Sequence, residues 1–203
     1  MALEAKNVSF LYGRRGPFVL EDVSLRVERG ERVALFAPSG RGKTTLALLL
    51  AGYARPQSGQ ILLEGKPLPE TGVCPVQLIW QHPEKAINPR WRLRRVLEES
   101  GAIREEDLMA LGIERAWLDR FPRELSGGEL QRFCVARALC SGAPYLILDE
   151  ISTMLDGITQ AQIWNFLLAE TAARNIGLLV VSHSPSLLDQ ICSLTLYLTK
   201  KRP

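Results

Sequence analysis

The order of apolar and polar positions in the first third of the chain predicts strands that lead into a loop and a buried helix. Short apolar and β-branched runs, separated by glycines and a charged turn, predict strands at 5–10, 19–27 and 32–36. A uniformly apolar stretch at 44–53 exceeds two helical turns and predicts a buried helix. Strand character then resumes at 61–63 and 76–80.

A change in composition separates the middle of the chain from its last third. Residues 83–140 are rich in charged and helix-forming side chains, which predicts a small helical sub-domain. Continuous apolar runs at 145–148 and 178–181 are typical of parallel strands buried on both faces, and 159–173 between them predicts a crossover helix. The whole pattern predicts an α/β core that carries a helical insertion.

Length and composition exclude several classes of protein. A chain of 203 residues has single-domain size, and 46% hydrophobic with 23% charged residues excludes wholesale disorder and fibrous architectures. The apolar runs are far shorter than the roughly 20 residues that span a bilayer, and the first residues lack the layout of a secretory signal. A net charge of +3 does not indicate nucleic-acid binding, which needs a concentrated basic patch.

The cysteines show no spacing typical of a metal or redox motif. No CxxC pair occurs, so we expect a reducing, cytoplasmic compartment with buried thiols and no zinc site. The residues concerned are Cys74, Cys134, Cys140 and Cys192.

A candidate phosphate-binding loop occupies 37–44, between a predicted strand and a predicted helix. Gly40 and Gly42 let successive backbone N–H groups point at a phosphate chain, and the helix N-terminus adds its dipole. Lys43 supplies a positive charge near the β- and γ-phosphates, and Thr44 a hydroxyl for Mg²⁺. A glycine-rich turn that binds nothing is the alternative. The candidate nucleotide-binding residues here are Ser39, Gly40, Arg41, Gly42, Lys43, Thr44 and Thr45.

The first glycine of this motif is replaced by Ala37. Alanine at a positive φ would cost about 1–2 kcal/mol, whereas at a negative φ the replacement is nearly silent. We expect a negative φ at Ala37, so that the loop keeps its shape.

Two carboxylates follow the apolar run 145–148. At the carboxyl edge of a parallel sheet, where ligands bind, Asp149 is placed to hold Mg²⁺ directly or through water. Glu150 points in a different direction and is placed to polarise the attacking water as a general base. A strand that simply ends in solvated acids is the alternative, and the phosphate loop argues against it.

A glycine-rich helix start at 125–132, with the sequence LSGGELQR, provides a further anion site. Ser126 is suited to cap the helix, and Gly127 and Gly128 expose backbone N–H groups. These residues closely resemble the LSGGQ signature of ABC-type ATPases, with Glu129 in the final position. The motifs also follow one another in the order found in that family.

The resemblance extends from about residue 3 to residue 188 and implies a P-loop NTPase fold of the ABC type. A nucleotide-binding α/β core of 1–82 and 141–203, with a mostly parallel sheet and an N-terminal antiparallel β part, would carry the helical sub-domain 83–140. Twenty residues follow His183, fewer than is usual in the family, which implies a trimmed periphery.

Three residues acquire roles only from this resemblance. Tyr12 resembles the aromatic residue that stacks on adenine, although Phe10 and Phe18 are nearby candidates. Gln81 resembles the glutamine that touches Mg²⁺ and the attacking water and senses the membrane partner. His183 resembles the switch histidine that contacts the γ-phosphate. Without the resemblance, Gln81 and His183 are ordinary polar residues at strand ends.

The resemblance also implies a second ATPase domain, packed head to tail in a homo- or heterodimer. The signature residues 126–128 of one domain would then cover the γ-phosphate held by the other. Asp156 resembles the D-loop aspartate, and Ser152 and Thr153 replace the smaller residues that are more usual before it. The implied cofactors are ATP and Mg²⁺.

A further stretch narrows the expected function. Residues 81–90, QHPEKAINPR, are similar to the Q-D-P-x-x-(S/A)-L-N-P-R block of oligopeptide, dipeptide and nickel importers, with His82 and Ile87 as departures. This similarity implies a subunit that energises import of nickel or small peptides, attached through integral membrane permease subunits to the cytoplasmic face of the membrane. The 45 residues from Gln81 to Ser126 are fewer than is usual in those ATPases, which suits the shorter member of a pair.

Other kinds of ABC-type ATPase remain as alternatives. A soluble ATPase of a cytosolic complex, such as one for phosphonate breakdown, would not co-purify with a membrane protein. DNA-repair and chromosome-organising ATPases need an inserted zinc module or a long coiled coil, for which the chain has no room. An inactive subunit is a further alternative because of Ala37, but the retained candidate residues argue against it. These are Lys43, Asp149, Glu150 and His183.

Overall fold

The computed structural model describes residues 1–13, 15–101, 104–153 and 155–198. The strands in these ranges are β1 (Ala2–Phe10), β2 (Leu20–Glu28), β3 (Arg32–Phe36), β4 (Ser58–Leu63), β5 (Lys66–Pro67), β6 (Val76–Ile79), β7 (Tyr145–Asp149), β8 (Gly177–Val181) and β9 (Leu194–Tyr197). The α-helices are α1 (Lys43–Leu50), α2 (Pro83–Ala86), α3 (Leu93–Glu98), α4 (Glu105–Ala110), α5 (Gly127–Cys140), α6 (Gly157–Ala173) and α7 (Pro185–Ile191). Short 3₁₀ helices cover Arg115–Asp119 and Pro122–Glu124.

The chain divides into two compact units. The first takes in Met1–Leu78, Pro144–Asp149 and the residues from Asn175 on, and the second takes in Ile79–Ala143 and Glu150–Arg174. A helical sub-domain with the bounds 83–140 stays a prediction.

A parallel sheet forms the centre of the first unit, with the strand order β6-β7-β8-β3-β9. Strand β8 pairs in parallel with β7 on one side and with β3 on the other, and β3 pairs in parallel with β9. Every residue of β7 and β8 is buried. Their continuous apolar runs therefore predict correctly a parallel sheet covered on both faces.

A second sheet of the first unit is antiparallel and has the order β2-β1-β4-β5. Leu3 on β1 lies opposite Val27 on β2 and Leu63 on β4. Leu3, Ala5 and Val8 are each at most 1% exposed, so this strand contributes directly to the core. The predicted fold class is confirmed: an α/β chain with a mostly parallel sheet and an N-terminal antiparallel part.

Helix α1 ends at Leu50, earlier than its apolar pattern predicts. The reason is Gly52, whose φ of 76° is left-handed and cannot continue the helix. The Tyr53 N–H donates to the Leu48 carbonyl at 2.9 Å, and the Gly52 N–H to the Leu49 carbonyl at 3.1 Å. This pair of bonds is the Schellman arrangement, which satisfies the last helical carbonyls.

Helix α5 organises the second unit. It packs against α2, α3 and α6, and its Phe133 and Val135 are fully buried. Among the ranges that the structure covers, no helix combines the length and the apolar character needed to cross a membrane.

The cysteines are less uniformly buried than expected. Cys134 is buried, whereas Cys74, Cys140 and Cys192 are partly exposed. Burial raises the pKa of the Cys134 thiol to about 12, and the pKa values of Cys140 and Cys192 to about 11. These three thiols are therefore protonated at neutral pH and are poor nucleophiles.

Candidate active site

The loop between β3 and α1 has the backbone that phosphate binding requires. Gly40 and Gly42 have φ values of 74° and 86°, whereas Ala37 lies outside the left-handed region. Ala37 is 2% exposed, so its methyl group is packed in the core. The expectation of a negative φ at Ala37 is thus confirmed, and its side chain causes no left-handed strain.

Gly42 is required for a steric as well as a conformational reason. A Cβ atom at this position would lie 2.7 Å from Leu20 Cδ2 and 3.1 Å from the carbonyl oxygen of Val19. Any larger residue would therefore be strained by the φ of 86° and would force Leu20 and the Val19 carbonyl to shift.

Lys43 is held inside the loop that precedes it. Its side chain is 7% exposed, and Nζ donates to the carbonyl oxygens of Ala37 at 2.7 Å and Pro38 at 3.3 Å. These acceptors are neutral, so they orient the ammonium without cancelling its charge. A buried cation beside a turn of backbone N–H groups is a strong attractor for phosphate.

The next two residues of α1 face different surroundings. Thr44 is exposed, whereas Thr45 is 6% exposed, and its hydroxyl shares a 3.0 Å hydrogen bond with the hydroxyl of Tyr12. The Tyr12 ring packs edge-on against Phe10, with centroids 5.0 Å apart. Tyr12 is 59% exposed, so most of its ring surface remains open to a ligand.

Three neighbouring parallel strands carry the candidate residues of the first unit at their carboxyl ends. Asp149 is the last residue of β7 and is 5% exposed. His183 follows the end of β8 and is exposed, and the phosphate loop follows β3. Since β7, β8 and β3 are adjacent and parallel, these groups share one edge of the sheet, where α/β proteins bind ligands.

The second unit brings Gln81 and Glu150 together. Gln81 Nε2 donates to Glu150 Oε2 at 3.3 Å and to Thr153 Oγ1 at 3.2 Å. From the sequence, Thr153 is only a departure from the family pattern, and no signal in the sequence indicates its contact with Gln81. A hydroxyl residue three positions after Glu150 indicates only the local bond to the Glu150 carbonyl, which the Thr153 hydroxyl makes at 3.1 Å.

The signature segment forms a reciprocal cap at the start of α5. The Ser126 hydroxyl accepts from the Glu129 N–H at 3.3 Å, and the Glu129 carboxylate accepts from the Ser126 N–H at 2.6 Å. Ser126 and Gly127 are exposed. The sequence predicts Ser126 as the N-terminal cap of this helix, and these two bonds confirm the prediction.

Asp156 caps α6 in the same unit. Its carboxylate accepts from the backbone N–H groups of Ile158 and Thr159, each at 3.0 Å. Hydrogen bonds from Thr159 are the main cause of its lowered pKa. Met154, within the predicted D-loop, lies outside the described residues. The hydrogen bonds that the structure gives Asp156 are those of a helix cap. Its role in a dimer stays a prediction.

The charge of Glu129 should make the stability of the chain pH-dependent. The bond from the Ser126 backbone is the main cause of its lowered pKa, and Arg120 and Arg132 add to it. A carboxylate with a lowered pKa stabilises the folded state above its unfolded value of about 4.3, and this contribution is lost as the pH falls through the folded pKa.

We expect wild type to lose about 0.5 kcal/mol more stability than Glu129→Gln between pH 7 and pH 3.5, a modest amount because the residue is partly exposed and water screens its charge. Urea unfolding at both pH values measures this difference. Glu98→Gln, an exposed acid of α3, is the control and should behave as wild type. Equal losses for wild type and Glu129→Gln would contradict the expectation.

The fold and the loop together define a class. A parallel α/β sheet with a lysine-bearing glycine loop and an aspartate at the carboxyl edge is the construction of P-loop nucleoside triphosphatases. A family model described as ABC transporter matches residues 20–153. The chain therefore belongs to the ABC transporter family, as an ATPase subunit.

Several relatives and solved structures resemble this chain along most of its length. Nickel import system ATP-binding proteins NikE from Staphylococcus aureus strains are 33% identical over 93% of this chain and 83% of their own length. A solved ATP-binding subunit of an ABC transporter is 26% identical, covers 97% of this chain and 85% of its own, and gives a TM-score of 0.83. The cbiO1 protein of Clostridium perfringens, part of the ABC transporter complex cbiONQ, shares the fold with a TM-score of 0.77 at 22% identity, over 96% of this chain and 83% of its own.

Proposed function

We propose that this ATPase subunit energises an importer of nickel or small peptides. The observation that carries the catalytic part is the shared edge of β7, β8 and β3, which presents Asp149, His183 and the Lys43 loop in one place. Membership of the ABC transporter family establishes that the chain is an ATPase subunit of a transporter. The identity of the transported solute is our proposal.

Each candidate residue has a distinct task in this proposal. Lys43 and the loop N–H groups neutralise and orient the phosphates, and His183 contacts the γ-phosphate. Glu150 polarises the attacking water, and Gln81 helps to place it. Tyr12 stacks on the adenine. Phosphoryl transfer needs positioning and charge neutralisation more than covalent chemistry, and these are the tasks that the residues would perform.

The residues present suit a magnesium ion. Asp149 offers a carboxylate that is 5% exposed at the sheet edge, and Thr44 an exposed hydroxyl at the start of α1. Hard oxygen donors of this kind are those that Mg²⁺ prefers, and Gln81 is the third candidate ligand. When bound with ATP, the ion neutralises charge on the phosphate oxygens.

A second ATPase subunit completes the proposed machinery. The exposed Ser126 and Gly127 and the neighbouring Gly128 are placed at a helix N-terminus, whose N–H groups attract anions. In a head-to-tail pair they would cover the γ-phosphate held by the partner. Either a second copy or a different ATPase fits this role, and a single copy should hydrolyse slowly.

Two observations support the proposed solute and the proposed location. The NikE relatives are named for nickel import, and residues 81–90 are similar to a block shared by nickel and peptide importers. We therefore expect integral permease subunits as partners, and a peripheral position on the cytoplasmic face of the membrane. A soluble ATPase for phosphonate breakdown is not favoured, because these relatives serve an import system.

Co-purification followed by uptake assays tests this proposal. The tagged chain is isolated from detergent-solubilised membranes, and its partners are identified. Cells with wild type or Lys43→Ala are then compared for uptake of nickel and of short peptides. We expect a permease partner, and uptake of one of these solutes that depends on Lys43. A chain without any membrane partner, or uptake of both solutes unchanged by Lys43→Ala, would contradict the proposal.

A further inference from the structure

Glu150 has a backbone conformation that needs support from its surroundings. Its φ is 51°, in the left-handed region that is unfavourable for a residue with a Cβ. Such conformations persist only where neighbouring groups hold them in place. The residue proposed as the general base is thus also one whose geometry depends on its neighbours.

Thr153 is tied to Glu150 by both its backbone and its side chain. Its N–H donates to the Glu150 carbonyl at 3.3 Å, and its hydroxyl donates to the same oxygen at 3.1 Å. These two bonds close the turn that starts at Glu150. They fix the backbone of Ile151 and Ser152, and they thereby hold the Thr153 hydroxyl at a set place beside the Glu150 peptide.

The same hydroxyl also reaches Gln81. Thr153 Oγ1 accepts from Gln81 Nε2 at 3.2 Å, while that nitrogen donates to Glu150 Oε2 at 3.3 Å. One oxygen atom of Thr153 therefore links the backbone of Glu150 to the amide beside its carboxylate. Thr153 is exposed, so its contribution to the core of the unit is small.

We infer that Thr153 is a positioning residue for ATP hydrolysis. Its hydroxyl closes the turn that follows Glu150 and holds the Gln81 amide beside the Glu150 carboxylate. This inference rests on the proposed role of Glu150 as general base. Valine at 153 has the same shape and keeps the N–H bond but loses both hydroxyl bonds, whereas serine keeps all three.

The test compares these variants in the complete transporter complex. We expect Thr153→Val to lower kcat about tenfold, with KM for ATP changed less than about twofold, because two hydrogen bonds are lost outside the nucleotide loop. Thr153→Ser should stay within about twofold of wild type. Thr71→Val, at another exposed threonine, is the matched control and should leave kcat unchanged.

A double-mutant cycle separates positioning from a general structural effect. If Thr153 acts through Glu150, Thr153→Val should have little further effect on single-turnover hydrolysis in a Glu150→Gln background. An equal loss in both backgrounds, a normal kcat for Thr153→Val, or no rescue by Thr153→Ser would overturn the inference. A wild-type complex that fails to hydrolyse ATP would instead overturn the proposed function.

Discussion

Replacing Lys43 by alanine is expected to lower ATP hydrolysis by about 10²- to 10³-fold, the range found when a group that stabilises developing charge is removed. Lys43 is 7% exposed, and its ammonium is held by the carbonyls of Ala37 and Pro38. Its charge acts in a poorly solvated place, where screening by water is weak. The measurement is phosphate release by the transporter complex, together with the Kd for ATP.

Lys66→Ala is the matched control for this change. Lys66 is an exposed lysine of β5, outside the loop, and its loss should leave hydrolysis and the Kd for ATP unchanged. Thermal unfolding of both variants shows whether the loop change also affects the fold. Hydrolysis by Lys43→Ala within threefold of wild type would contradict the role given to this residue.

Replacing Glu150 by glutamine is expected to lower hydrolysis by about 10²- to 10⁴-fold while ATP still binds, because the amide cannot accept a proton. Gln81 Nε2 can still donate to the amide oxygen at 150, so the 3.3 Å contact need not be lost. A single-turnover assay with ATP in the complex measures the chemical step, and equilibrium binding of ATP shows that the nucleotide loop is intact.

Glu64→Gln provides an unusually close control for this second change. Glu64 is an exposed glutamate whose φ of 55° is also left-handed, but it lies in the turn between β4 and β5. The same chemical replacement in the same backbone conformation should leave the rate unchanged. If both variants lost activity equally, the loss could not be assigned to the carboxylate of Glu150.

The strands that position the site follow directly from the order of apolar residues. The runs at 145–148 and 178–181 have no polar alternation, and the structure places them side by side in the parallel sheet. A strand that is buried on both faces has apolar residues at consecutive positions, and this pattern can be recognised in the sequence. The end of α1 could not be predicted from the order of apolar residues, because Gly52 ends the helix through its left-handed φ and not through a change in polarity.

The contacts of the polar residues could not be predicted in the same way. The hydroxyl pair of Tyr12 and Thr45 and the bond from Gln81 to Thr153 join residues far apart in sequence. No periodicity encodes such pairs, because they depend on how the elements pack. The φ of 51° at Glu150 is a similar case, since the intrinsic preference of glutamate does not favour it.

The structure of Glu150→Gln with ATP and Mg²⁺ bound would show whether the site binds nucleotide as proposed. We expect the triphosphate to be wrapped by loop 37–45, with Lys43 Nζ at the β- and γ-phosphates and Asp149 near the metal. Where the second ATPase subunit is another copy of this chain, we expect its Ser126 to lie against the γ-phosphate. Phosphates bound away from Lys43, or no nucleotide bound at saturating ATP, would contradict the proposed site.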